Sequence, residues 1–397
     1  MLQVEEAQAR VLAEVTPLEA EPVAFEEAFG RVLREDVTAP DDAPPADNSG
    51  MDGYAVRAED TPGTLRVLGD IPAGTVPELR VEPGTALRIM TGAFVPEGAD
   101  AVAQVEITDG GLEVVRVDRA VARGAHIRRR GEDVRAGSVV LRTGTLMGAA
   151  EVAMLAAARK LTVAVGRRPT VAILSTGDEL LAPEDAPSFG KIVNSNSYLL
   201  AALVRQAGAV PRPLGIVRDT REATIAAFEE ASQADFILSS GGVSVGAYDF
   251  VKDALEALGA ESKFWRVSMK PGKPVVLSRL RDRVVFGLPG NPVSCFVSFH
   301  LFVAPALRKA MGVAGELVPQ PVSTRLEAPL RAAGDRRTYV RVAVRVRDGE
   351  LVSRPMATQG SGSLTSIVQA NGLAIVAEGT KSVDAGASVP TLLLGLP

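Results

Sequence analysis

The fold class of this 397-residue chain is decided by one stretch, Asp235-Phe-Ile-Leu-Ser-Ser-Gly-Gly-Val-Ser-Val-Gly-Ala-Tyr-Asp249. Its apolar run, Phe236 to Leu238, predicts a buried strand of a parallel sheet. The small residues that follow let backbone N–H groups come close to a ligand, and the apolar spacing beyond Asp249 predicts a helix with Asp249 as its N-cap. A strand, a glycine loop and a helix N-terminus together favour phosphate binding. A tight turn that binds nothing fits the loop equally well.

The same loop matches the G-x-S-x-G pattern of the α/β-hydrolases at Gly242-Val-Ser244-Val-Gly246. Such a serine needs a histidine base, normally later in the chain, and His300 is the sole candidate in that order. His300 falls within an apolar helical pattern, where a packed structural histidine is expected. A serine hydrolase is therefore the minor alternative.

The composition narrows the class of protein. A net charge of −5 argues against a nucleic-acid partner. The single cysteine, Cys295, excludes an intrachain disulfide and fits the reducing cytoplasm, and its apolar surroundings predict a buried thiol. No apolar run reaches the roughly 18 residues that a membrane helix needs. The N-terminus lacks the pattern of a signal peptide, so we expect a cytoplasmic protein without a membrane partner.

Residues 169 to about 312 alternate strand and helix patterns, which predicts right-handed crossovers and a parallel sheet. The polar loops that follow the strands should gather at the carboxyl edge of that sheet, where open α/β sheets bind ligands. They bring two lysines, Lys270 and Lys273, together with three carboxylates, Glu179, Asp219 and Asp249. Acids beside an anion site suggest a divalent cation that bridges a phosphate, and Mg²⁺ is the usual choice for oxygen ligands.

The flanking segments carry other patterns. Short β-like runs between Ala55 and about Val140 predict a β insertion, and alternating runs after about Pro319 predict a C-terminal β domain. We further expect a strand at Trp265–Ser268 and Pro292 at a helix N1 position. Helices are predicted at Val4–Val15, Phe25–Leu33, Met147–Ala158 and Asn196–Gln206, the last with Asn196 or Ser197 as its cap.

Seven motifs, taken together and in order, closely resemble the molybdopterin molybdenumtransferases, the MoeA and gephyrin E-domain family. The resemblance runs from residue 1 to the C-terminus. The motifs are Asp47-Asn-Ser-Gly-Met-Asp52-Gly-Tyr-Ala-Val-Arg57, Arg88-Ile-Met-Thr91-Gly-Ala93, Arg130-Gly-Glu-Asp133, Ser175-Thr-Gly-Asp-Glu179-Leu180, Ser239-Ser-Gly-Gly-Val-Ser-Val-Gly246, Lys270-Pro-Gly-Lys273-Pro274 and Gly287-Leu-Pro-Gly-Asn-Pro-Val-Ser294.

The resemblance implies an α/β multidomain homodimer. Domain I, helical and β, would be split between residues 1–40 and 137–167, and domain II, residues 41–136, would be the β insertion. Domain III, residues 168–318, would be a doubly wound α/β domain that binds molybdopterin. Domain IV, residues 319–397, would be a C-terminal β-barrel-like domain.

The implied reaction joins molybdate to adenylyl-molybdopterin in a Mg²⁺-dependent step and releases AMP and the molybdenum cofactor. Domain II would contribute its residues across the dimer interface. A molybdopterin adenylyltransferase and molybdoenzymes are possible partners. The implied catalytic residues are Asp52, Thr91, Asp133, Glu179, Lys270 and Lys273. The implied substrate-binding residues are Thr176, Gly177, Ser240, Gly241, Gly242, Pro274, Pro289, Pro292, Ser294, Arg336, Arg341 and Ser361. The implied Mg²⁺ ligands are Asp219 and Asp249.

The chain departs from the family pattern in three places. Gly50 stands where alanine is frequent, and Arg266 stands where a lysine is usual. Arg336-Arg-Thr-Tyr339 replaces a more usual Arg-x-Glu-Phe, which leaves Arg336, Arg337 and Arg341 as alternatives for the molybdate-binding arginine. A catalytically retired, gephyrin-like scaffold is the alternative function. The retained lysines and carboxylates argue against it, because a scaffold has no use for that set of charges.

Overall fold

The computed structural model describes residues 1–243 and 250–395. The predicted cap Asp249 and the candidate nucleophile Ser244 therefore lie outside the described residues. Two compact units are present: one comprises residues 1–34, 143–148 and 163 onward, and the other residues 35–142 and 149–162. The helices are α1 (Val4–Ala13), α2 (Ala149–Ala157), α3 (Ser195–Gln206), α4 (Arg221–Ala231), α5 (Phe250–Ala257), α6 (Pro292–Met311) and α7 (Leu364–Gln369).

The first unit contains a six-stranded sheet with helices on both faces. Its strands are β1 (Thr170–Thr176), β2 (Val210–Val217), β3 (Phe236–Ser240), β4 (Glu261–Phe264), β5 (Val276–Leu280) and β6 (Arg283–Leu288), in the spatial order β2-β1-β3-β6-β5-β4. The first four of these in space are parallel, and β5 is antiparallel to both of its neighbours. Residues of α3 and α6 pack in one core cluster, and residues of α4 and α5 pack in another. The prediction of a doubly wound α/β domain is confirmed.

Helix α6 places the loop after β6 and buries the chain's single cysteine. Pro292 occupies the first helical turn after the N-cap Asn291, as predicted. The helix is long and apolar enough to span a membrane by length and composition alone, which the sequence analysis did not expect. Because 78% of its apolar window is buried inside the protein, its hydrophobicity is that of a core helix. Cys295 is fully buried, which confirms the prediction of a buried thiol, and burial raises the pKa of that thiol to about 12.

The C-terminal strands close into a five-stranded barrel. They are β7 (Val322–Leu326), β8 (Arg337–Arg347), β9 (Glu350–Pro355), β10 (Gly372–Val376) and β11 (Ser388–Leu393), and the ring closes because β8 pairs with both β9 and β10. The pair Met269–Lys270 adds a short parallel strand to β8, opposite Arg337 and Thr338. The loop that carries the two lysines is therefore fixed to the barrel by backbone pairing.

The second unit contains a five-stranded sheet. Its strands, in spatial order, are Ala101–Gln104, Gly53–Val56, Thr85–Ile89, Gly63–Ile71 and Val114–Val117. Short two-stranded ladders accompany it at Asn48–Ser49 with Ile127–Arg128 and at Val37–Thr38 with Val139–Leu141. This sheet confirms the predicted β runs between Ala55 and about Val140.

Three local predictions were wrong. Phe25–Ala28 is a single 3₁₀ turn, because Ala20–Ala24 pairs as a strand with Thr162–Gly166. Helix α3 is capped by Asn194, whose side chain accepts from the Ser197 N–H at 3.2 Å, rather than by Asn196 or Ser197. A strand was expected at Trp265–Ser268. The strand instead comprises Glu261–Phe264, which pairs with β5, and it ends before Trp265.

Candidate functional site

A cleft of about 330 Å³ opens at the carboxyl edge of the α/β sheet. Thr176 and Ser240 end the adjacent strands β1 and β3, and Asn196 lies in the first turn of α3. A short parallel pair, Leu180–Leu181 with Ile192–Val193, forms one wall. The remaining lining is mostly small and uncharged, and Glu179 is its one carboxylate among the described residues. We name this site the sheet-edge cleft.

Two predicted glycines have backbone conformations that fit only glycine. Gly241 has a φ of +91°, and a Cβ there would lie 2.8 Å from the carbonyl oxygen of Thr176. Gly242 has a φ of +65°, and a Cβ would lie 2.8 Å from the Thr176 hydroxyl. The left-handed conformation and the close packing on β1 together explain why small residues follow this strand.

The acidic positions lie on neighbouring loops. The Asp178 N–H donates to Asp219 Oδ2 at 3.1 Å, and the Asp219 N–H donates to Asp178 Oδ1 at 3.3 Å. Burial raises the pKa of Asp219 above its usual value, and the charges of Asp178 and Glu179 raise it further. Asp249 lies outside the described residues, and no group of three or more Asp, Glu, His or Cys side chains in the described part of the chain could hold a metal ion.

A second and larger cavity, about 780 Å³, lies between the lysine loop and the barrel. Lys270, Lys273 and Pro274 line it from the loop, Ser294 from α6, and Ser361 from the segment before α7. The N–H of Val293 donates to the carbonyl oxygen of Ser361 at 3.0 Å, which joins the start of α6 to that segment. Because Pro292 lines the sheet-edge cleft and Ser294 lines this cavity, the first turn of α6 separates the two.

The charge of the second cavity is one-sided. Its described lining includes five cations and no carboxylate; the cations are Lys270, Lys273, Arg331, Arg336 and Arg341. Cations that share a concave site without acidic neighbours raise the local concentration of anions. We name this site the cation cavity.

Arg341 is buried and is used to hold a loop. Its guanidinium donates to the hydroxyl of Ser366 at 2.8 Å and to the carbonyl oxygens of Thr358 and Gly360 at 3.1 and 3.2 Å. Only 1% of the residue is exposed, and burial lowers its pKa. These bonds use Nε and Nη2 and orient the loop that carries Ser361, so Arg341 has a positioning role, while its contact with substrate stays a prediction.

Arg336 is the arginine with spare donor capacity in this cavity. Its Nε lies 3.1 Å from a carboxylate oxygen of Asp335, but the geometry is not that of a hydrogen bond, and Nε has no hydrogen-bond partner among the described residues. An unpaired buried donor is costly, and an anion in the cavity would satisfy it. Of the two predicted arginines, Arg336 has the better geometry for direct contact with an anion.

The predicted residues of the second unit fall into two groups. Asp52 accepts hydrogen bonds at 2.7 Å from both the N–H and the hydroxyl of Thr91, and the backbone bond is the main cause of its lowered pKa. Both residues are exposed. Asp133 is also exposed, on the turn that follows the arginine cluster, and its N–H donates to the carbonyl oxygen of Ala43 at 3.1 Å.

The remaining predicted residues lie outside the lining of both cavities. Gly177 and Pro289 are buried beneath the sheet edge, so they shape the loops rather than contact a ligand there. His300 packs edge-on against Phe296 and Phe299. Burial lowers its pKa to about 4. The packed structural histidine is confirmed, and a group with that pKa is a poor general base at neutral pH, which disfavours a serine hydrolase.

Sequence reasoning missed the asparagines of the cleft. Asn196 was considered only as a helix cap, Asn291 appeared only within a quoted motif, and Asn194 was not considered, yet all three line the cleft. The segment Asn194-Ser-Asn196 follows a short strand and opens a helix, the position at which polar residues reach a sheet edge. That position is the signal that could have found them.

Three successive parts of the chain match known protein families. Residues 2–158 match the MoeA N-terminal region (domain I and II), residues 172–309 a probable molybdopterin binding domain, and residues 323–394 the MoeA C-terminal region (domain IV). Molybdopterin molybdenumtransferase of Bacillus subtilis is 38% identical over 98% of this chain and 94% of its own. Molybdopterin molybdenumtransferase 2 of Mycobacterium tuberculosis is 41% identical over 92% of each chain.

The solved structures agree with the sequence relatives. The crystal structure of the molybdopterin biosynthesis MoeA protein from Pyrococcus horikoshii OT3 has a TM-score of 0.85, 32% identity, and coverage of 99% of this chain and 100% of its own. A doubly wound domain with a sheet-edge cleft, next to a barrel that completes a cation cavity, is the architecture of a transferase of molybdenum cofactor biosynthesis. The chain belongs to the molybdopterin molybdenumtransferase family.

Proposed function

We propose that this protein inserts molybdenum into molybdopterin: adenylyl-molybdopterin and molybdate react to give the molybdenum cofactor and AMP. The observation that carries the proposal is the cation cavity, whose described lining holds five cations and no carboxylate. Molybdate is a doubly charged oxyanion, and charged donors make the stronger hydrogen bonds to such groups. A catalytically retired scaffold would have no use for this charge.

The two sites divide the substrates between them. The sheet-edge cleft, with its hydrogen-bonding asparagines and glycine loop, would hold the molybdopterin end. Lys270, Lys273, Arg336 and Ser294 would hold molybdate in the cation cavity. The first turn of α6 contributes to both sites, so one rigid element would set the distance between the two reactants. Catalysis would then consist mainly of positioning and electrostatic stabilisation.

A divalent cation fits the acidic loops. Asp219 is a partly buried carboxylate whose pKa is raised by burial and by two neighbouring acids, so a bound cation would relieve that repulsion. Asp219 and Asp249 would hold Mg²⁺. When bound, the ion would neutralise the charge of the pyrophosphate link.

The direct test measures AMP release by the purified protein supplied with adenylyl-molybdopterin, Mg²⁺ and molybdate. We expect AMP to appear only when molybdate is present, and chelation of Mg²⁺ to suppress it. Sulfate in place of molybdate controls for a general effect of divalent oxyanions. Absence of AMP release from folded protein with all components present would overturn the proposal.

We also propose a cytoplasmic homodimer that receives its substrate from a molybdopterin adenylyltransferase and delivers the cofactor to molybdoenzymes. In this arrangement Asp52, Thr91 and Asp133 serve the partner's site, which a C₂ dimer would form twice. Mixing inactive Asp133→Ala with inactive Lys270→Ala under conditions that exchange subunits should restore activity, since each mixed dimer then has one intact site. A mixture that stays inactive despite demonstrated exchange would exclude the shared site.

A further inference from the structure

The side chain of Asn196 lines the cleft. Its amide NH₂ group donates hydrogen bonds within the protein, whereas its amide oxygen accepts none from the described residues. Its amide nitrogen donates to the hydroxyl of Ser240 at 2.8 Å and to the carbonyl oxygen of Gly290 at 2.7 Å. A carbonyl oxygen can only accept, so the atom that faces Gly290 must be the NH₂ group. The orientation of the amide is thereby fixed, and Oδ1 is the atom that remains.

The Oδ1 atom of Asn196 is buried, and no described residue donates to it. Asn196 is only 8% exposed. A polar atom shut away from water without a partner is destabilising, so such atoms in folded proteins call for an explanation. The hydroxyl of Thr176 is a second unpaired buried atom on a residue that lines the same cleft. Two such atoms around one cleft point to a ligand that pairs with them.

The chemistry of Oδ1 restricts what can lie against it. A phosphate oxygen is an acceptor and would be repelled by an amide oxygen, whereas an N–H group would pair with it. The Thr176 hydroxyl both donates and accepts, so it imposes no such restriction. The position next to Asn196 therefore requires a donor, which a pterin supplies through its amino group and its ring N–H.

We infer that Asn196 is a specificity-determining residue whose Oδ1 accepts a hydrogen bond from the 2-amino group of the pterin ring. The inference rests on the proposed function, because it assigns part of the same cleft. It also sets the direction of the substrate: the ring edge lies at Asn196, and the phosphate lies away from it. Neither Lys270 nor Lys273 takes part in this selection.

The test compares two ligands with two proteins. The ligands are 2-amino-4-oxopteridine and 4-oxopteridine, which lacks the amino group; the proteins are the wild type and Asn196→Leu, of similar side-chain size. We expect the wild type to bind the amino compound about tenfold more tightly. Asn196→Leu should bind both ligands equally. If Asn196 has a purely structural role, its replacement weakens the binding of both ligands by the same factor and leaves the ratio of their affinities unchanged. That result would overturn the inference.

A second variant guards against misfolding of the first. Asn196→Ala removes Oδ1 without placing a bulky apolar side chain beside Ser240 and Gly290, so it should also abolish the preference while thermal unfolding still shows a folded protein. An unchanged ratio in a folded Asn196→Ala, or no preference in the wild type, would also overturn the inference. Failure of the wild type to bind adenylyl-molybdopterin would overturn the proposed function as well, whereas binding without the preference would overturn the inference alone.

Discussion

The sheet-edge cleft and the cation cavity lie on either side of one helix turn but are built from different kinds of groups. Apart from Glu179, the described lining of the cleft consists of neutral groups, among them the amide of Asn196 and the hydroxyls of Thr176 and Ser240. The cavity uses lysine and arginine, with no carboxylate in its described lining. Neutral groups discriminate between ligands by the arrangement of hydrogen-bond donors and acceptors on the ligand, whereas charged groups discriminate by the net charge of the ligand. Under the proposed function, the cleft would select its ligand by hydrogen-bond pattern, and the cavity would select an oxyanion by charge.

The largest effect should come from removing charge from the cavity. We expect Lys270→Ala and Lys273→Ala each to weaken molybdate binding by roughly 10- to 100-fold, since a hydrogen bond to a charged group contributes about 1.5–3 kcal/mol. Binding of molybdopterin in the cleft should change less than about twofold, because Lys270 and Lys273 do not line the cleft. Isothermal calorimetry with each ligand separately would measure both quantities.

The matched control is Lys252→Ala, on the exposed face of α5, where Lys252 pairs with Glu256. It removes the same charge from a residue that does not line the cavity and should leave both affinities unaltered. If the cavity variants weaken molybdopterin as strongly as molybdate, the two sites are not separate in the way proposed.

The second prediction changes the cleft and leaves the cation cavity intact. Gly241→Ala places a Cβ 2.8 Å from the Thr176 carbonyl oxygen at a φ of +91°, so we expect a loss of stability of about 1–3 kcal/mol. Molybdopterin binding should weaken about tenfold, and molybdate binding should stay near its original value. Chemical denaturation and calorimetry would measure these changes.

Gly349→Ala is the control for backbone strain. Gly349 has a φ of +81° in the turn between β8 and β9, and a Cβ there would meet nothing within 4 Å. It should lose about 1 kcal/mol from the left-handed conformation and leave molybdopterin binding intact. If Gly241→Ala and Gly349→Ala lose the same free energy of unfolding, the close contact with Thr176 makes no contribution to the destabilisation.

The smallest effect should come from Arg341→Lys. A lysine keeps the charge but cannot reach Ser366, Thr358 and Gly360 together as the guanidinium does. We expect molybdate affinity to fall about threefold, because the segment that carries Ser361 is less firmly held. Arg345→Lys, at an exposed site on the same strand, is the control and should have no effect. A loss beyond that of the cavity lysines would instead indicate that Arg341 contacts the anion itself.

The sequence predicted the frame of the molecule better than its local detail. The apolar run Phe236–Leu238, the proline at helix position N1 and the β runs of the insertion were recognised because each carries its own periodic or turn signal. Phe25–Leu33 was misread because pairing of Ala20–Ala24 with Thr162–Gly166, more than 130 residues away in sequence, overrides local helix propensity.

The site was predictable where a motif names a residue and not where packing decides its use. Gly241 lies at the expected sheet edge, but Lys270 and Lys273 line a separate cavity whose described lining holds none of the carboxylates that they were predicted to meet. Arg341 could not be separated from Arg336 by sequence, because one guanidinium is engaged by carbonyl oxygens that only the folded loop brings near. Asn196 was overlooked for a similar reason: its unpaired acceptor depends on two bonds, to Ser240 and to Gly290, that no spacing in the sequence reveals.

The parallel pairing of Met269–Lys270 with Arg337–Thr338 has a consequence for the order in which the protein is completed. A ribosome finishes every strand of the α/β sheet before it reaches β8, so a nascent chain can form the cleft while the lysine loop still has no partner. Only a chain extended through the barrel can hold the loop against Arg336 and Ser361. Under the proposed function, a chain that ends before β8 would lack the strand that holds the lysine loop, and with it the site for the oxyanion.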